Sequence, residues 1–509
     1  MLRKIRIAFA VAVLLLFTLS FMEIAELFPN FRIQDFQFLP ALLSLNVVAL
    51  VVIIGATLLF GRIYCSVLCP LGIFQDFFDW LANRKCFTKK NRKKYGFKEK
   101  DYKYHRWIWL GILLVAWLCG VTVLVGLFEP YSAFGRMVSQ LLRPLFGLCN
   151  NLVATIAQSK GNYDIFLVDV SLRSVFALIV AILTFLIVGH ISFHHGRTWC
   201  NTVCPVGTIL GFLSKYSLFR MRIDTEKCNH CGACAKKCKA YCIDSKNQSI
   251  DYNRCVSCFN CISNCKQGAM YYGLPKKGSI AVDCTDKPDA GRRDFVRSSM
   301  IVGAAVVSQQ IHARKTGRDV EAVSEFDRQT PLSPAGSVSH DNLNRLCTAC
   351  HMCIVNCPQH VLKPAGLEYG IGGILQPVMA FDKGYCNYDC TICSETCPAG
   401  AIKPISVEKK HVTQVGHVVF NPDKCVVVKK GKSCGACAEH CPVGGIVMVK
   451  YQGYLTIPET HTEYCIGCGG CEYICPEHAV HIVGNPVHTE AQAPQEDKVE
   501  IKDDFDFGF

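Results

Sequence analysis

Apolar positions are concentrated in four stretches of this chain: residues 7–22, 41–60, 107–128 and 172–191. Each is nearly free of charge and approaches the length a helix needs to cross the roughly 30 Å hydrocarbon core of a bilayer. The polar segments between them differ in charge. Residues 61–106 carry twelve Lys or Arg, among them Lys89, Lys90, Arg92, Lys93 and Lys94, whereas residues 129–170 carry three, Arg136, Arg143 and Lys160. The positive-inside rule puts the first segment in the cytoplasm and the second outside, and Arg3, Lys4 and Arg6 keep the N-terminus inside. The pattern predicts a membrane domain of four helices in two hairpins, with the chain back in the cytoplasm at Ser192.

The second and fourth stretches end in the same signature. Gly61-Arg62-Ile63-Tyr64-Cys65-Ser66-Val67-Leu68-Cys69-Pro70-Leu71-Gly72 is matched by Gly196-Arg197-Thr198-Trp199-Cys200-Asn201-Thr202-Val203-Cys204-Pro205-Val206-Gly207. The domain is therefore an internal duplication, and both copies emerge at the cytoplasmic surface. Cys65, Cys69, Cys200 and Cys204 could hold a metal cluster there, act as redox-active thiols, or merely shape the helix ends. The sequence leaves these readings open.

Beyond residue 215 the pattern is set by cysteine, of which the chain holds 33. Cys228, Cys231, Cys234 and Cys238 form one run, and Cys255, Cys258, Cys261 and Cys265 another. Such close spacing strains local disulfides. It suits a loop that wraps three corners of an iron–sulfur cube and sends its fourth cysteine to the neighbouring cube, as in two-cluster bacterial ferredoxins. Cys265 then joins Cys228, Cys231 and Cys234, while Cys238 joins Cys255, Cys258 and Cys261. Lys239 and Lys266 stand where that pattern usually has proline.

Four further runs follow at a period of about 40 residues, the mark of an internal array. They are Cys347/Cys350/Cys353/Cys357, Cys386/Cys390/Cys393/Cys397, Cys425/Cys434/Cys437/Cys441 and Cys465/Cys468/Cys471/Cys475, each followed by proline. The twenty-four cysteines of the six runs predict six [4Fe-4S] clusters, and the C-x3-C-P cysteines would make a seventh. Zinc also takes four thiolates, but it would waste a cysteine in every repeat. Cys347-Thr348-Ala349-Cys350-His351 matches a c-type haem attachment motif, yet haem would strand Cys353 and Cys357. Cys86, Cys119, Cys149, Cys242 and Cys284 have no evident partner and read as buried apolar thiols.

Between the two cysteine-rich blocks, Arg292-Arg293 precedes a short apolar run at 300–307, which reads as a twin-arginine export signal. That route moves folded proteins, as a cluster-bearing domain requires. The chain thus divides into a membrane domain (1–215), a cytoplasmic 2[4Fe-4S] ferredoxin domain of α+β type (216–284), a signal-like or anchoring linker (285–340), a periplasmic 4[4Fe-4S] domain (341–488) and an acidic disordered tail (489–509). The net charge of +13 sits beside the apolar stretches and reads as membrane topology, not as a nucleic-acid face. His190, His194, His195, Glu129 and Arg136 lie near membrane ends, where they could exchange quinone protons or simply be solvated. No phosphate loop or nucleophile elbow is present, so no catalytic residue is predicted.

On these motifs residues 1–275 resemble the NapH/MauN/NosR-type membrane ferredoxins, and residues 291–484 resemble the NapG-type exported ferredoxins of periplasmic nitrate reduction. The resemblance implies a quinol-oxidising module passing electrons from the quinone pool to a periplasmic reductase or cytochrome. Likeness to four-cluster ferredoxin subunits of respiratory enzymes further implies that the first run of the array pairs with the last and the second with the third. Cys475 would then join Cys347, Cys350 and Cys353, and Cys441 would join Cys386, Cys390 and Cys393. A resemblance to oxidase-assembly proteins with C-x3-C-P motifs implies the alternative, a metallocentre assembly or metal-reducing factor.

Overall fold

The computed structural model describes residues 1–22, 33–83, 103–168, 170, 173–274 and 330–492. The twin-arginine segment, the basic run at 89–94, Cys86, Cys284 and residues 493–509 lie outside them.

The N-terminal part is helical, as the apolar pattern predicts, but its helices are more broken. The stretch 41–60 splits into Phe38–Leu43 and Val47–Phe60, because the Asn46 side chain accepts the Ala49 N–H and starts a new helix. The stretch 107–128 splits at Gly120, whose φ of +82° ends Lys103–Leu118 before Thr122–Phe128 begins. Leu2–Ser20 carries Arg3, Lys4 and Arg6 in its first turns. Among the described residues one helix, Val175–His195, is long and apolar enough on its own to cross a membrane. The others still show apolar side chains outward: Val48 is 70% exposed, Ile108 61%, Leu152 64% and Val175 65%. So extensive an apolar surface marks a contact with lipid or protein. The segment expected as an outer loop also contributes to it, since Arg143–Ser159 is a helix with Leu145, Leu148, Leu152 and Ile156 exposed.

The cysteine-rich blocks are built from small antiparallel sheets. Residues 228–265 are enclosed by Arg220–Ile223 paired with Met270–Gly273, and a hairpin, Ile243–Asp244 with Ser249–Ile250, separates the two runs. The same plan recurs at 425–475, where Thr413–Phe420 pairs with Val480–Glu490 and the hairpin is Ile446–Lys450 with Thr456–Thr460. A third hairpin, Leu362–Pro364 with Pro377–Met379, separates the runs at 347 and 386. The array of four is thus two consecutive two-run units.

Two boundaries move. The C-terminal block begins by residue 330: Leu332 is 1% exposed, and its carbonyl accepts the Met379 N–H. Thr489 and Glu490, assigned to the tail, pair with Gln414 and Thr413.

Three helices run from one cysteine-rich block to the other. Leu2–Ser20 starts at Arg3, which donates to Ser263, and ends near Phe21, against Gly135 and Tyr131. Val47–Phe60 starts beside Ser44, which touches Gly400, and ends at Phe60, whose carbonyl accepts from Tyr272. Val175–His195 begins after Arg173, which donates to the Ile354 carbonyl, and ends before Arg197, which donates to the Lys239 carbonyl. The blocks therefore sit at opposite ends of the helical domain. At 1.5 Å per residue these helices separate them by about 20–30 Å.

Candidate iron–sulfur sites

In the first block seven of the eight thiols of the two runs gather into two sets, while Cys231 is exposed. Cys234 has Cys228 and Cys265 as electrostatic neighbours, and Cys238, Cys255, Cys258 and Cys261 line one cavity. Cys242, assigned no partner, lies on that cavity with its sulfur 3.3 Å from that of Cys238. Cys119 and Cys149, expected to be buried, are exposed.

In the C-terminal block the exchange differs from the expected one. Cys347, Cys350 and Cys353 gather with Cys397, not Cys475. Cys386, Cys390 and Cys393 share a cavity with Cys357, and Cys425, Cys434 and Cys437 share one with Cys475. Cys465, Cys468 and Cys471 gather with Cys441. Adjacent runs exchange because each hairpin folds a run back onto its immediate neighbour, which an array with first-to-last pairing would not do.

These sets suit a cluster. Burial and neighbouring thiols push Cys350 up to about 12 and Cys468 up to about 11. Four such thiols cannot ionise together without a positive core, which iron supplies. Backbone N–H groups also point at the sulfurs, Gly445 at Cys441 and Ala479 at Cys475, both at 3.2 Å. Among the described residues no three Cys, His, Asp or Glu close on one point as ligands of a single ion would. The haem motif fares no better, because His351 is 2% exposed, with Nε2 on the Leu375 carbonyl and Nδ1 facing Ser139 and Gln140.

The two C-x3-C-P copies converge. Cys65, Cys69, Cys200 and Cys204 are all buried, and Cys69 has the other three as electrostatic neighbours. Each copy's proline starts a helix whose third residue, Gly72 or Gly207, donates its N–H to the second cysteine, at 3.4 and 3.3 Å. A Cβ on either glycine would fall 2.3 or 2.1 Å from the carbonyl of the first cysteine, so glycine is obligatory for this approach.

The arginines of the repeated Gly-Arg dipeptide cross between the copies. Arg62 Nη2 lies 3.7 Å from Cys65 Sγ and 3.3 Å from the Cys200 carbonyl, and Arg197 Nη1 lies 3.8 Å from Cys200 Sγ and 2.8 Å from the Cys65 carbonyl. Both are fully buried. The signal for these arginines in the sequence is their repetition three residues before each first cysteine.

This thiol set adjoins the first block. Arg62 donates to the Asn253 carbonyl at 2.8 Å, and Lys239, the residue in proline's place, reaches Asp76 at 2.5 Å. Asp76 also pairs with Arg197 and Arg6, at 2.6 and 3.0 Å. Burial opposes its ionisation, but the three cations hold its carboxyl well below the usual range.

At the other end, the first C-terminal thiol set sits against the helices. Ser132 donates to Thr348 Oγ1 at 2.9 Å, Arg136 to the Ala349 carbonyl at 3.0 Å, and Thr122 to the Arg345 carbonyl at 2.6 Å. From there the sets follow one another. Cys353 neighbours Cys393, the Cys386 N–H donates to the Cys468 carbonyl at 2.9 Å, and Cys471 neighbours Cys437.

Fold and thiol sets together define an iron–sulfur protein of the ferredoxin type. A profile described as "4Fe-4S binding domain" matches residues 44–89 and 174–226, the two C-x3-C-P copies, and one described as "4Fe-4S dicluster domain" matches residues 430–480. The ferredoxin-type protein NapG of Escherichia coli is 26% identical over 204 residues, 37% of this chain and 83% of NapG. The methylamine utilization ferredoxin-type protein MauN of Paracoccus denitrificans is 28% identical over 179 residues, 35% of this chain and 48% of MauN. MauM of Methylophilus methylotrophus is 28% identical over 157 residues, 28% of this chain and 66% of MauM. These likenesses support a ferredoxin family of the NapG/NapH type.

Proposed function

We propose that this chain is a membrane-spanning electron conduit. It takes electrons from the quinol pool or a cytoplasmic donor and delivers them to a periplasmic reductase or cytochrome. The observation that carries the proposal is the placement of two cysteine-rich blocks at opposite ends of helices about as long as a bilayer is thick. In this reading the helical domain crosses the inner membrane four times, the exposed apolar side chains face lipid, and the broken helices pack where protein replaces lipid. Residues 220–274 lie in the cytoplasm and 330–492 in the periplasm, the latter delivered by the signal at Arg292-Arg293.

The twenty-four cysteines of the six runs hold six [4Fe-4S] centres, and Cys65, Cys69, Cys200 and Cys204 hold a seventh. When bound, the centres supply reversible one-electron redox chemistry over a wide range of potential. The chain's own residues space them in sequence, exclude water and set local charge. Arg62 and Arg197 bring buried positive charge to the four-thiol site, which favours an anionic thiolate centre there.

Reconstitution tests the reading. Purified protein should reduce an added periplasmic acceptor with quinol, and Cys228→Ser or Cys465→Ser should slow or abolish the passage. Anaerobically isolated protein should carry roughly 24–28 iron atoms per chain. A nearly iron-free polypeptide, or both blocks accessible from one side of sealed vesicles, would overturn it. If instead a metallocentre in another enzyme were lost while quinol oxidation stayed intact, the chain would be an assembly or metal-reducing factor.

A further inference from the structure

Glu129, Tyr131 and Arg136 are each 0% exposed and lie where the helical domain meets the C-terminal block. Each keeps a buried polar atom without a hydrogen-bond partner among the described residues: Glu129 Oε1, Tyr131 Oη and Arg136 Nε. An unsatisfied buried group costs about 1–3 kcal/mol. Three in one seam call for a polar occupant.

The remaining atoms of these residues are committed to the fold. Glu129 caps the helix Pro130–Met137, its Oε2 accepting the Ser132 N–H. Arg136 donates to the Gly126 and Ala349 carbonyls, at 2.9 and 3.0 Å, and so ties the helix to the C-terminal block. Phe17 and Phe21 pack on Tyr131 with ring centroids 5.9 and 5.7 Å away. Glu129 neighbours Cys350 on one side and Tyr64 on the other, and Tyr64 in turn neighbours Cys69. The seam thus lies between the four-thiol site and the Cys347/Cys350/Cys353/Cys397 set.

We propose that this seam binds a hydroquinone, with Tyr131 Oη and Glu129 Oε1 taking its two hydroxyl groups and the two phenylalanines packing its ring. The inference rests on the electron-conduit reading. It places oxidation at the outer end of the helices, against the first centre of the C-terminal block. Two O–H bonds break, and the hydroquinone becomes quinone. Its two electrons leave one at a time, and the iron–sulfur centre that Cys347, Cys350, Cys353 and Cys397 would hold would supply the one-electron acceptor on the way to the final one. Each proton goes in turn to the Glu129 carboxylate, which releases it to the outer solvent. Arg136 is a positioning residue that holds the seam closed.

Glu129→Gln preserves the helix cap, and Tyr131→Phe preserves the ring packing, so neither should disturb the fold. Two readouts apply to the full-length protein: binding of a fluorescent hydroxyquinoline N-oxide quinol analogue, and the rate at which menadiol reduces the iron centres. Tyr131→Phe should weaken analogue binding about tenfold. Glu129→Gln should slow menadiol reduction about a hundredfold and flatten its pH profile. The EPR spectrum of the dithionite-reduced protein should be unchanged in both.

Unchanged binding and rates in both variants would overturn the site and leave the conduit standing. So would retained rates with the analogue displaced by a ligand of another region. If wild-type protein bound the analogue at the seam but passed no electrons from the inner block to an outer acceptor, the conduit would fail independently.

Discussion

The two seams of this molecule solve the same problem with different chemistry. Where residues 220–274 meet the helices, the contact is charged: Asp76 sits among the buried cations Arg6, Arg197 and Lys239, and Arg62 reaches across to Asn253. Where the C-terminal block meets them, Ser132, Thr122 and Arg136 donate to neutral oxygens of residues 345–349, and small residues allow the backbones to touch. A buried ion cluster tolerates little loosening, because any partner removed leaves an uncompensated charge. Both seams keep buried polar atoms without a partner among the described residues, Arg6 Nε, Arg62 Nε and Arg197 Nη2 at the inner one. Those of the outer seam include a carboxyl oxygen and a phenol, Glu129 Oε1 and Tyr131 Oη, which can meet a polar guest. The inner contact reads as a fixed joint beside the four-thiol site, and the outer one as a joint with a place in it.

The sharpest way to break this comparison is to remove the centre at the outer seam. Cys397→Ser should cost about four iron atoms per chain and stop electrons at the helical domain, because Cys397 completes the set on Cys347, Cys350 and Cys353. Cys475→Ser should cost the same iron but leave the seam centre intact, since Cys475 belongs with Cys425, Cys434 and Cys437. The reverse assignment of EPR signals would restore the first-to-last exchange. Next in size is Asp76→Asn, which strands three buried cations. Loss of about 3–5 kcal/mol should appear as early thermal release of the inner block from the helices, with the outer block still attached. Gly126→Ala should act on the other seam alone. Its Cβ would fall 2.2 Å from the Thr348 carbonyl, and overpacking of about 1–3 kcal/mol should expose the 345–355 segment to protease.

The six runs, their two-run plan in the first block and the paired C-x3-C-P copies were legible because fixed cysteine spacing answers to a fixed cluster shape. The exchange partners in the array were not, since spacing is equal between all neighbours and only the hairpins at 362–379 and 446–460 decide which runs fold together. The four spans were read as unbroken because hydropathy averages over Asn46 and Gly120, where local backbone chemistry ends a helix. Lys239 was noticed only as a missing proline. Its partner Asp76 lies 163 residues away in sequence, a separation no local pattern can bridge.

Acid should separate the two cysteine-rich blocks by the smallest but cleanest margin. His488, in the strand that closes the C-terminal block, is held down to about 4 by burial and by the nearby His340, against an ordinary 6.5. Its Nε2 meets Ser333 Oγ at 2.8 Å. Below the ordinary value the unfolded chain binds a proton that the folded block refuses. The stability His488 supports is therefore complete above about pH 6.5 and lost as pH falls toward 4. By about pH 5 the loss is roughly 2 kcal/mol, and His340, also lowered by burial, adds in the same direction. Asp76 has the same sense in a lower window: its depressed carboxyl keeps the inner seam stable until pH falls below the ordinary carboxylate range. Between pH 6.5 and 5, thermal melting should show the C-terminal block weakening while the inner block holds. His488→Gln, which keeps a partner for Ser333, should flatten that slope; an equal slope in the variant would assign the acid sensitivity elsewhere.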